Sequence, residues 1–253
     1  MNLKEKLHNG ESVLGTMITV FDHVDMLRIF KNTGFDFVII DNELGYFDYK
    51  ELSLLLNTGK LLDFPVLVRI AEPRREIVTK CMEMGAAGLL IPNCDGPEMA
   101  EQVISYAKYA PMGNRGVSLG RANTNYEKVD ALEYMKKVND ETIIMCQIES
   151  PEGVENVEKT AAVEGVDCLF IGPNDLTQSY GIMGQTQNPI FIDAVKRVIA
   201  AAKAEKKACG IHLQNTDGVK KWMAEGMNMN LYGNDAALLK NACEAGVRAI
   251  RGE

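Results

Sequence analysis

The sequence predicts a single (β/α)8 barrel of the α/β class, extending over residues 1–253. Short apolar segments typical of buried strands alternate eight times with amphipathic segments typical of helices, and no linker interrupts the alternation. With 253 residues, of which 46% are hydrophobic, the chain can bury the core of one such barrel or of two small domains. Eight successive βα units at this length favour the closed barrel over a doubly wound sheet.

The predicted strands include several uninterrupted apolar runs, such as FVIID at 37–41. Such runs are expected for parallel strands that are covered on both faces, whereas a strand with one solvated face alternates apolar and polar residues. The eight strands are predicted over residues 13–18, 37–41, 65–70, 88–93, 142–149, 168–172, 208–213 and 227–233.

The segments between these strands have the apolar spacing of amphipathic helices. One stripe comprises Phe191, Val195, Val198, Ile199 and Ala202. A second stripe, near the C-terminus, comprises Leu239, Cys243, Val247 and Ile250. Glycines that can end a helix precede three of the strands, and they are Gly34, Gly85 and Gly226.

Composition limits the classes of partner. The formal net charge of −8 argues against a nucleic-acid-binding protein, which needs clustered lysine and arginine. No apolar run approaches the ~20 residues that cross a bilayer, and the first residues lack the apolar core of a signal peptide. The cysteines form no CxxC pair, which is typical of a reduced cytoplasmic protein. They are Cys81, Cys94, Cys146, Cys168, Cys209 and Cys243. We therefore expect a cytoplasmic protein with no nucleic-acid or membrane partner.

Two neighbouring strands are each followed by an acid. Glu149 ends the run MCQIE at 145–149, and Asp175 follows the run FIGPN at 170–174. Chemistry in a barrel of this kind occurs at the C-terminal ends of the strands. Neighbouring strands lie ~4.8 Å apart, so the two carboxylates can share one hard cation, Mg²⁺ or Mn²⁺. Gln147 points to the same face as Glu149 because it lies two residues away. For each acid, the alternative is a helix cap.

Arg69 interrupts the apolar strand VLVRI at 66–70. A buried arginine is unfavourable unless it meets an anion, which leaves two interpretations. It pairs with Asp41 or Glu149 as part of the barrel, or its guanidinium binds a carboxylate or enolate oxygen of a substrate. The long glycine-rich loop 111–126 also carries two arginines, and it is either functional or a solvated connection.

These residues resemble those of a known family. The resemblance rests on IIDNE at 39–43, VR at 68–69, QIE at 147–149 and GPNDL at 172–176. The motifs are similar to those of the HpcH/HpaI aldolases, metal-dependent class II enzymes for pyruvate-derived 2-oxo acids, such as 4-hydroxy-2-oxoheptanedioate and 2-dehydro-3-deoxygalactarate aldolases. The resemblance implies that Glu149 and Asp175 bind Mg²⁺ or Mn²⁺, with Co²⁺ as a further candidate. It implies that Arg69, Gln147, Asn174 and Asp175 contact the 2-oxo acid.

The resemblance also implies a homohexamer, built as a dimer of trimers, whose last helix packs on a neighbouring subunit. In such an assembly a site can borrow an acid from the next protomer, and the matching residue in this chain is Glu83. The expected partners are therefore a small 2-oxo acid and further copies of the same chain.

The motif of the second strand departs from the family pattern. Where the family has a histidine that acts as a general base, this chain has Leu44, and Asn42 replaces a glycine. Leucine cannot transfer a proton, so Glu43, Tyr46 and His212 become candidates for the base. The phenol of Tyr46 is a poor base near neutrality. A structural role in the turn for Glu43, and a hydrogen-bonded core role or a substrate contact for His212, are the alternatives.

The predicted function is that of a divalent-metal-dependent carbon–carbon lyase, which cleaves a 4-hydroxy-2-oxo acid to pyruvate and an aldehyde. Decarboxylation of oxaloacetate needs no base to deprotonate a hydroxyl, so Leu44 predicts that this reaction survives better than aldol cleavage. One alternative is a barrel that binds metal and 2-oxo acid without catalysis. The other is a relative of the CoA-ester lyases.

Overall fold

A computed structural model describes residues 2–252, and within them eight parallel strands form a closed barrel, which confirms the predicted fold. Each strand pairs with its sequence neighbour, and the last pairs with the first. The strands are β1 (Val13–Ile18), β2 (Phe37–Asp41), β3 (Val66–Arg69), β4 (Gly88–Ile91), β5 (Ile143–Ile148), β6 (Cys168–Ile171), β7 (Ala208–Leu213) and β8 (Met229–Asn234).

The predicted strand positions are confirmed, with three sets of bounds matching and the other five differing by one or two residues at an end. At the end of β4, for example, Asn93 has a left-handed backbone with φ of 49°, which no continuing strand adopts. Residues 1 and 253 of the predicted domain lie outside the described residues, and the assignment of a single domain stays a prediction.

Twelve α-helices and one short 3₁₀ turn, Ala122–Thr124, occur within residues 2–252. They are α1 (Leu3–His8), α2 (Asp25–Asn32), α3 (Tyr49–Leu61), α4 (Arg75–Glu83), α5 (Pro97–Ala107), α6 (Ala131–Glu141), α7 (Pro151–Glu155), α8 (Val157–Ala162), α9 (Pro173–Ser179), α10 (Pro189–Ala204), α11 (Thr216–Ala224) and α12 (Asp235–Arg251). None of these described helices is both long enough and apolar enough to cross a bilayer.

The apolar stripes behave differently on two of the helices. On α10 the stripe faces the barrel, where Phe191, Val195 and Val198 are buried. On α12 the stripe does not face the barrel, because residues 239–252 are exposed and only the first turn of the helix contacts β1 and β8. The three glycines expected to end helices do follow the C-caps of α2, α4 and α11, and they have positive φ: 97° for Gly34, 96° for Gly85 and 107° for Gly226.

Alternate residues of each strand belong to two separate layers of the core, because successive side chains of a strand point to opposite faces. The layer between barrel and helices includes Val38, Ile40, Val68, Leu89, Cys146, Leu169 and Ile211. The layer inside the barrel includes Phe37, Ile39, Leu67, Leu90, Met145, Phe170 and Leu231. Continuing the inner alternation towards the C-terminal strand ends brings Asp41, Arg69, Gln147 and Glu149 to the mouth of the barrel.

The inner layer leaves no room at Gly210 of β7, where an added Cβ would lie 1.6 Å from the carbonyl oxygen of Met229. We expect Gly210→Ala to lower the free energy of unfolding by at least about 3 kcal/mol, because the two strands must separate to admit the methyl group. Gly116→Ala is the control, since nothing lies within 4 Å of its added Cβ, and it should change stability by less than about 0.5 kcal/mol. Urea unfolding measures both, and equal effects would contradict the packing described.

Candidate active site

The C-terminal ends of β2 and β3 carry an ion pair, formed by Asp41 and Arg69, inside the barrel. Asp41 and Arg69 are register partners in the parallel pair of these two strands. Arg69 Nε donates to Asp41 Oδ1 at 2.9 Å, and Arg69 Nη2 donates to Asp41 Oδ2 at 2.7 Å. This two-pronged contact holds the guanidinium in a fixed plane. The third nitrogen of Arg69, Nη1, lies 2.9 Å from Glu43 Oε2, so two carboxylates pair with one buried guanidinium.

The loop after β2 is held in place by Asp41. The backbone N–H groups of Glu43 and Leu44 donate to Asp41 Oδ1 at 3.1 and 3.3 Å. The turn also requires Gly45, because a Cβ there would lie 2.1 Å from the carbonyl oxygen of Asp41. The loop presents Leu44 and Tyr46 to solvent at the rim, with exposures of 77% and 85%.

The carboxylate of Glu149 is only 3% exposed and is hydrogen-bonded at both oxygens. The backbone N–H of Asn93 donates to Oε1 at 2.6 Å, and Gln147 Nε2 donates to Oε2. Gly172 provides the space, since a Cβ at that residue would lie 2.1 Å from Oε2. Burial raises the pKa of Glu149 to about 7, and the negative charges of Asp175 and Glu43 act in the same direction.

Asp175 and Asn174 lie in the first turn of α9 and are exposed to solvent. The helix-cap alternative fits neither acid, because the N-cap of α7 is Ser150 and that of α9 is Gly172.

Burial raises the pKa of Glu43, and the charges of Asp41 and Asp175 act in the same direction, while Arg69 opposes them. The structure therefore brings Glu43, Glu149 and Asp175 close enough at the mouth of the barrel for their charges to interact.

The side-chain oxygens here suit a hard divalent cation, for which the protein would supply only some of the ligands. No group of three or more His, Cys, Asp or Glu side chains among residues 2–252 is arranged to enclose a metal. Gln147 Oε1, however, is buried without a hydrogen-bond partner beside Glu149. Two carboxylates with a nearby amide oxygen suit Mg²⁺ or Mn²⁺, which retain several water ligands in proteins.

His212 lies on β7 and faces the interior near Arg69 and Asp41. Its Nε2 donates to the carbonyl oxygen of Gly233 at 2.8 Å, which fixes the ring. Burial lowers the pKa of His212, and the positive charge of Arg69 acts in the same direction. The imidazole is therefore neutral near pH 7. The other two histidines, His8 and His23, are exposed.

Glu83 is the one predicted site residue that this chain does not bring to the strand ends. It is the last residue of α4, at the opposite end of the barrel, and its Oε1 lies 2.7 Å from Arg115 Nη2. A cavity of about 460 Å³ opens at that end, lined by residues that include Leu3, Arg115 and Ile143. It contains none of the strand-end acids. A role for Glu83 in catalysis stays a prediction that requires a neighbouring subunit.

The sequence profile of the family described as HpcH/HpaI aldolase/citrate lyase matches residues 19–242. The chain belongs to this family. The 2-keto-3-deoxy-L-rhamnonate aldolase of Escherichia coli (strain K12) is 30% identical over 95% of this chain and 90% of its own length. The hydroxypyruvate/pyruvate aldolase of Roseobacter denitrificans (strain ATCC 33942 / OCh 114) is 28% identical over 94% of this chain and 92% of its own length.

The solved structures agree with the sequence relatives. The crystal structure of an HpcH/HpaI aldolase from Desulfitobacterium hafniense DCB-2 superposes with a TM-score of 0.94 at 34% identity, covering 99% of this chain and 97% of that chain. These similarities confirm the predicted family and the predicted enzyme class, a lyase of the aldolase type.

Two residues of this HpcH/HpaI site escaped the sequence analysis, namely Asn93 and Gly172. Gly172 lies within the recognised GPNDL motif, but the need for glycine there depends on where the Glu149 side chain lies. Asn93 ends an apolar run, and the only local signal is that asparagine tolerates a left-handed backbone better than most residues. Both act across strands, so neither role follows from local sequence.

Glu149 should make the stability of the metal-free protein depend on pH. Its folded pKa of about 7 exceeds the ordinary value of 4.5, so the folded state holds a proton that the unfolded state releases between these values. The contribution is complete at pH values below the ordinary pKa and is lost as the pH rises through about 7. We expect a loss of about 3 kcal/mol from this group between pH 5 and pH 8.

Urea unfolding in EDTA across this pH range measures the effect. Glu149→Gln should remove the difference, whereas Glu152→Gln, a control at an exposed glutamate of α7, should retain it. Mn²⁺ should stabilise the protein more at pH 8 than at pH 5, since ionised Glu149 then gains a cation partner. An unchanged pH profile in the Glu149 variant would contradict the burial described.

Proposed function

We propose that the protein is a divalent-metal-dependent carbon–carbon lyase, which cleaves a 4-hydroxy-2-oxo acid to pyruvate and an aldehyde. The observation that carries the proposal is the buried carboxylate of Glu149, whose pKa is raised to about 7 beside Asp175 and within reach of the Arg69 cluster. A carboxylate held in this way is costly unless a cation joins it. The names of the similar aldolases support the same reaction class.

Glu149 and Asp175 would hold the cation, with Mg²⁺ and Mn²⁺ favoured and Co²⁺ as a further candidate. When bound, the ion supplies Lewis acidity that favours the enolate form of the 2-oxo acid. Arg69 supplies a guanidinium that is oriented by its contacts with Asp41. Gln147, next to Glu149, and Asn174, one residue before Asp175, would contact the substrate.

Proton transfer requires a group other than residue 44, because leucine occupies it. Glu43 directly precedes residue 44 in the sequence, and burial raises its pKa, which makes its carboxylate a stronger base. His212 is neutral and faces the same interior, so it is the second candidate and also a candidate substrate contact. Tyr46 remains the weaker candidate because its side chain is the most exposed of the three.

A second reaction, decarboxylation of oxaloacetate, is favoured by the same substitution. It needs the enolate-stabilising groups, namely the cation site and Arg69, but it needs no group that deprotonates a 4-hydroxyl. Leu44 removes the family's base while leaving Arg69, Gln147, Glu149 and Asp175 in place. We therefore propose that decarboxylation is retained even where aldol cleavage is slow.

We also propose that the enzyme is a cytoplasmic homohexamer, a dimer of trimers. Support for an assembly comes from α12, whose residues 239–252 are exposed and include Leu239, Val247 and Ile250. An apolar stripe of this length is usually covered by another surface.

Support for a reducing compartment comes from the cysteines, all six of which are free and five of which are buried.

Pyruvate release from oxaloacetate and from a 4-hydroxy-2-oxo acid, measured side by side, tests the proposal. We expect Mn²⁺ or Mg²⁺ to support both reactions and EDTA to abolish both, with oxaloacetate turned over faster because that reaction needs no base at residue 44. Turnover of oxaloacetate alone would support an enolate-stabilising site without a working base. Metal binding without turnover of either substrate would favour a non-catalytic binding protein and contradict the proposal.

Arg69→Lys should lower kcat/KM for both substrates by at least about 100-fold, because lysine cannot reproduce the two-pronged contact with Asp41 or present a planar cation. Arg74→Lys is the matched control, since Arg74 is exposed and pairs only with Glu72 among the described ion pairs. Steady-state kinetics on both variants measures the effect. A loss of less than threefold for Arg69→Lys would remove that residue from the mechanism.

A further inference from the structure

Strand β4 lies between the strand that carries Arg69 and the strand that leads to Glu149, and none of its own residues, Gly88–Ile91, is charged. The loop that follows it contributes Asn93, two residues beyond Ile91. Asn93 is exposed and has a left-handed backbone, with φ of 49°. Glycine adopts this conformation more easily, although asparagine tolerates it better than most other residues.

Asn93 contacts two acids of the site through two different groups. Its backbone N–H donates to Glu149 Oε1 at 2.6 Å, and its side-chain Nδ2 donates to Glu43 Oε1 at 3.3 Å. The next residue fastens the turn to β5, because the N–H of Cys94 donates to the carbonyl oxygen of Gln147 at 3.0 Å. The backbone at Asn93 is thus fixed to one strand while its side chain reaches the loop after another.

Glu43 depends on this contact for one of its two oxygens. Its Oε2 lies 2.9 Å from Arg69 Nη1, and its Oε1 accepts from Asn93. Without the carboxamide, the carboxylate is held at one end only and can rotate about its flexible side chain. Its position relative to Glu149 would then vary, although Arg69 would still attract it.

We propose that Asn93 is a positioning residue, whose carboxamide sets where the Glu43 carboxylate stands relative to Glu149. The inference rests on the proposed function in one respect, that Glu43 transfers the proton in carbon–carbon cleavage. The two groups of Asn93 then have separable roles. The backbone N–H supports the cation ligand Glu149, and the side chain places the proton-transfer group.

Asn93→Gly separates these roles, because glycine keeps the N–H and adopts a φ of 49° without strain, while the carboxamide is lost. We expect the affinity for Mn²⁺, measured by calorimetry, to stay within about twofold, since the bond to Glu149 remains. Cleavage of a 4-hydroxy-2-oxo acid should lose about tenfold in kcat, with KM unchanged. Decarboxylation of oxaloacetate, which needs no base, should change by less than about twofold.

Two further variants make the test specific. Lys206→Gly is the matched control, because Lys206 is exposed, has φ of 54° and lies in the turn before β7, at the other end of the barrel. It should leave both reactions unchanged. In a Glu43→Gln background, Asn93→Gly should cause no further loss of cleavage, because the residue through which it acts is already altered. Additive losses, or a tenfold weaker affinity for Mn²⁺ in Asn93→Gly alone, would overturn the proposal.

The failure of the proposed function is distinguishable from the failure of this inference. A parent enzyme without turnover of either substrate overturns the function and leaves the placement of Glu43 to be measured directly. A crystal structure of the Asn93→Gly variant with Mn²⁺ then decides the matter. A Glu43 carboxylate displaced from its position beside Arg69 supports positioning by Asn93, and an unmoved carboxylate overturns it.

Discussion

The burial of the Glu149 carboxylate is the constraint on which the rest of the site depends. A carboxylate inside the mouth of a barrel loses hydration, and two neighbouring acids add repulsion, so its charged form is disfavoured near neutrality. The surrounding residues offset part of this free-energy cost. Asn93 and Gln147 each donate a hydrogen bond, and Gly172 leaves the space that the side chain occupies. What remains unsatisfied is the negative charge itself, which explains why a hard cation suits this point.

A second buried charge is that of Arg69, and its contacts with Asp41 offset the lost hydration. The sequence leaves open whether Arg69 pairs within the barrel or binds a substrate; the structure shows the pairing with Asp41, and the substrate contact stays a proposal. Because Asp41 engages the guanidinium at two nitrogens, the side chain of Arg69 is not free to rotate, and Glu43 pairs with the third nitrogen. Asp41 also accepts two backbone N–H groups from the loop that follows β2. The carboxylate of Asp41 therefore fixes both the guanidinium of Arg69 and the loop that carries Glu43 and Leu44.

Sequence and structure agree most closely where the signal is local. Gln147 and Glu149 face the same side because they are two residues apart on a strand, and this holds whatever the neighbouring strands do. The agreement weakens at Asp175, which lies within a helix turn four residues beyond β6 rather than at the strand end itself. It fails for Asn93, because a hydrogen bond to a residue 56 positions away leaves no trace in the sequence around it. Glu83 shows a related limit, since its expected role concerns a subunit interface rather than this chain alone.

The sequence by itself determined the barrel, the order of its strands and the identity of the acids at its mouth. These follow from the repeated apolar pattern and from motifs that lie within single βα units. Only the tertiary structure decided which of those groups meet. Arg69 reaches Asp41 across 28 residues, and Glu149 meets Asn93 across 56, because barrel closure and strand register bring the strand ends together. Distances between side chains on different strands depend on that closure, and no short segment of the chain contains it.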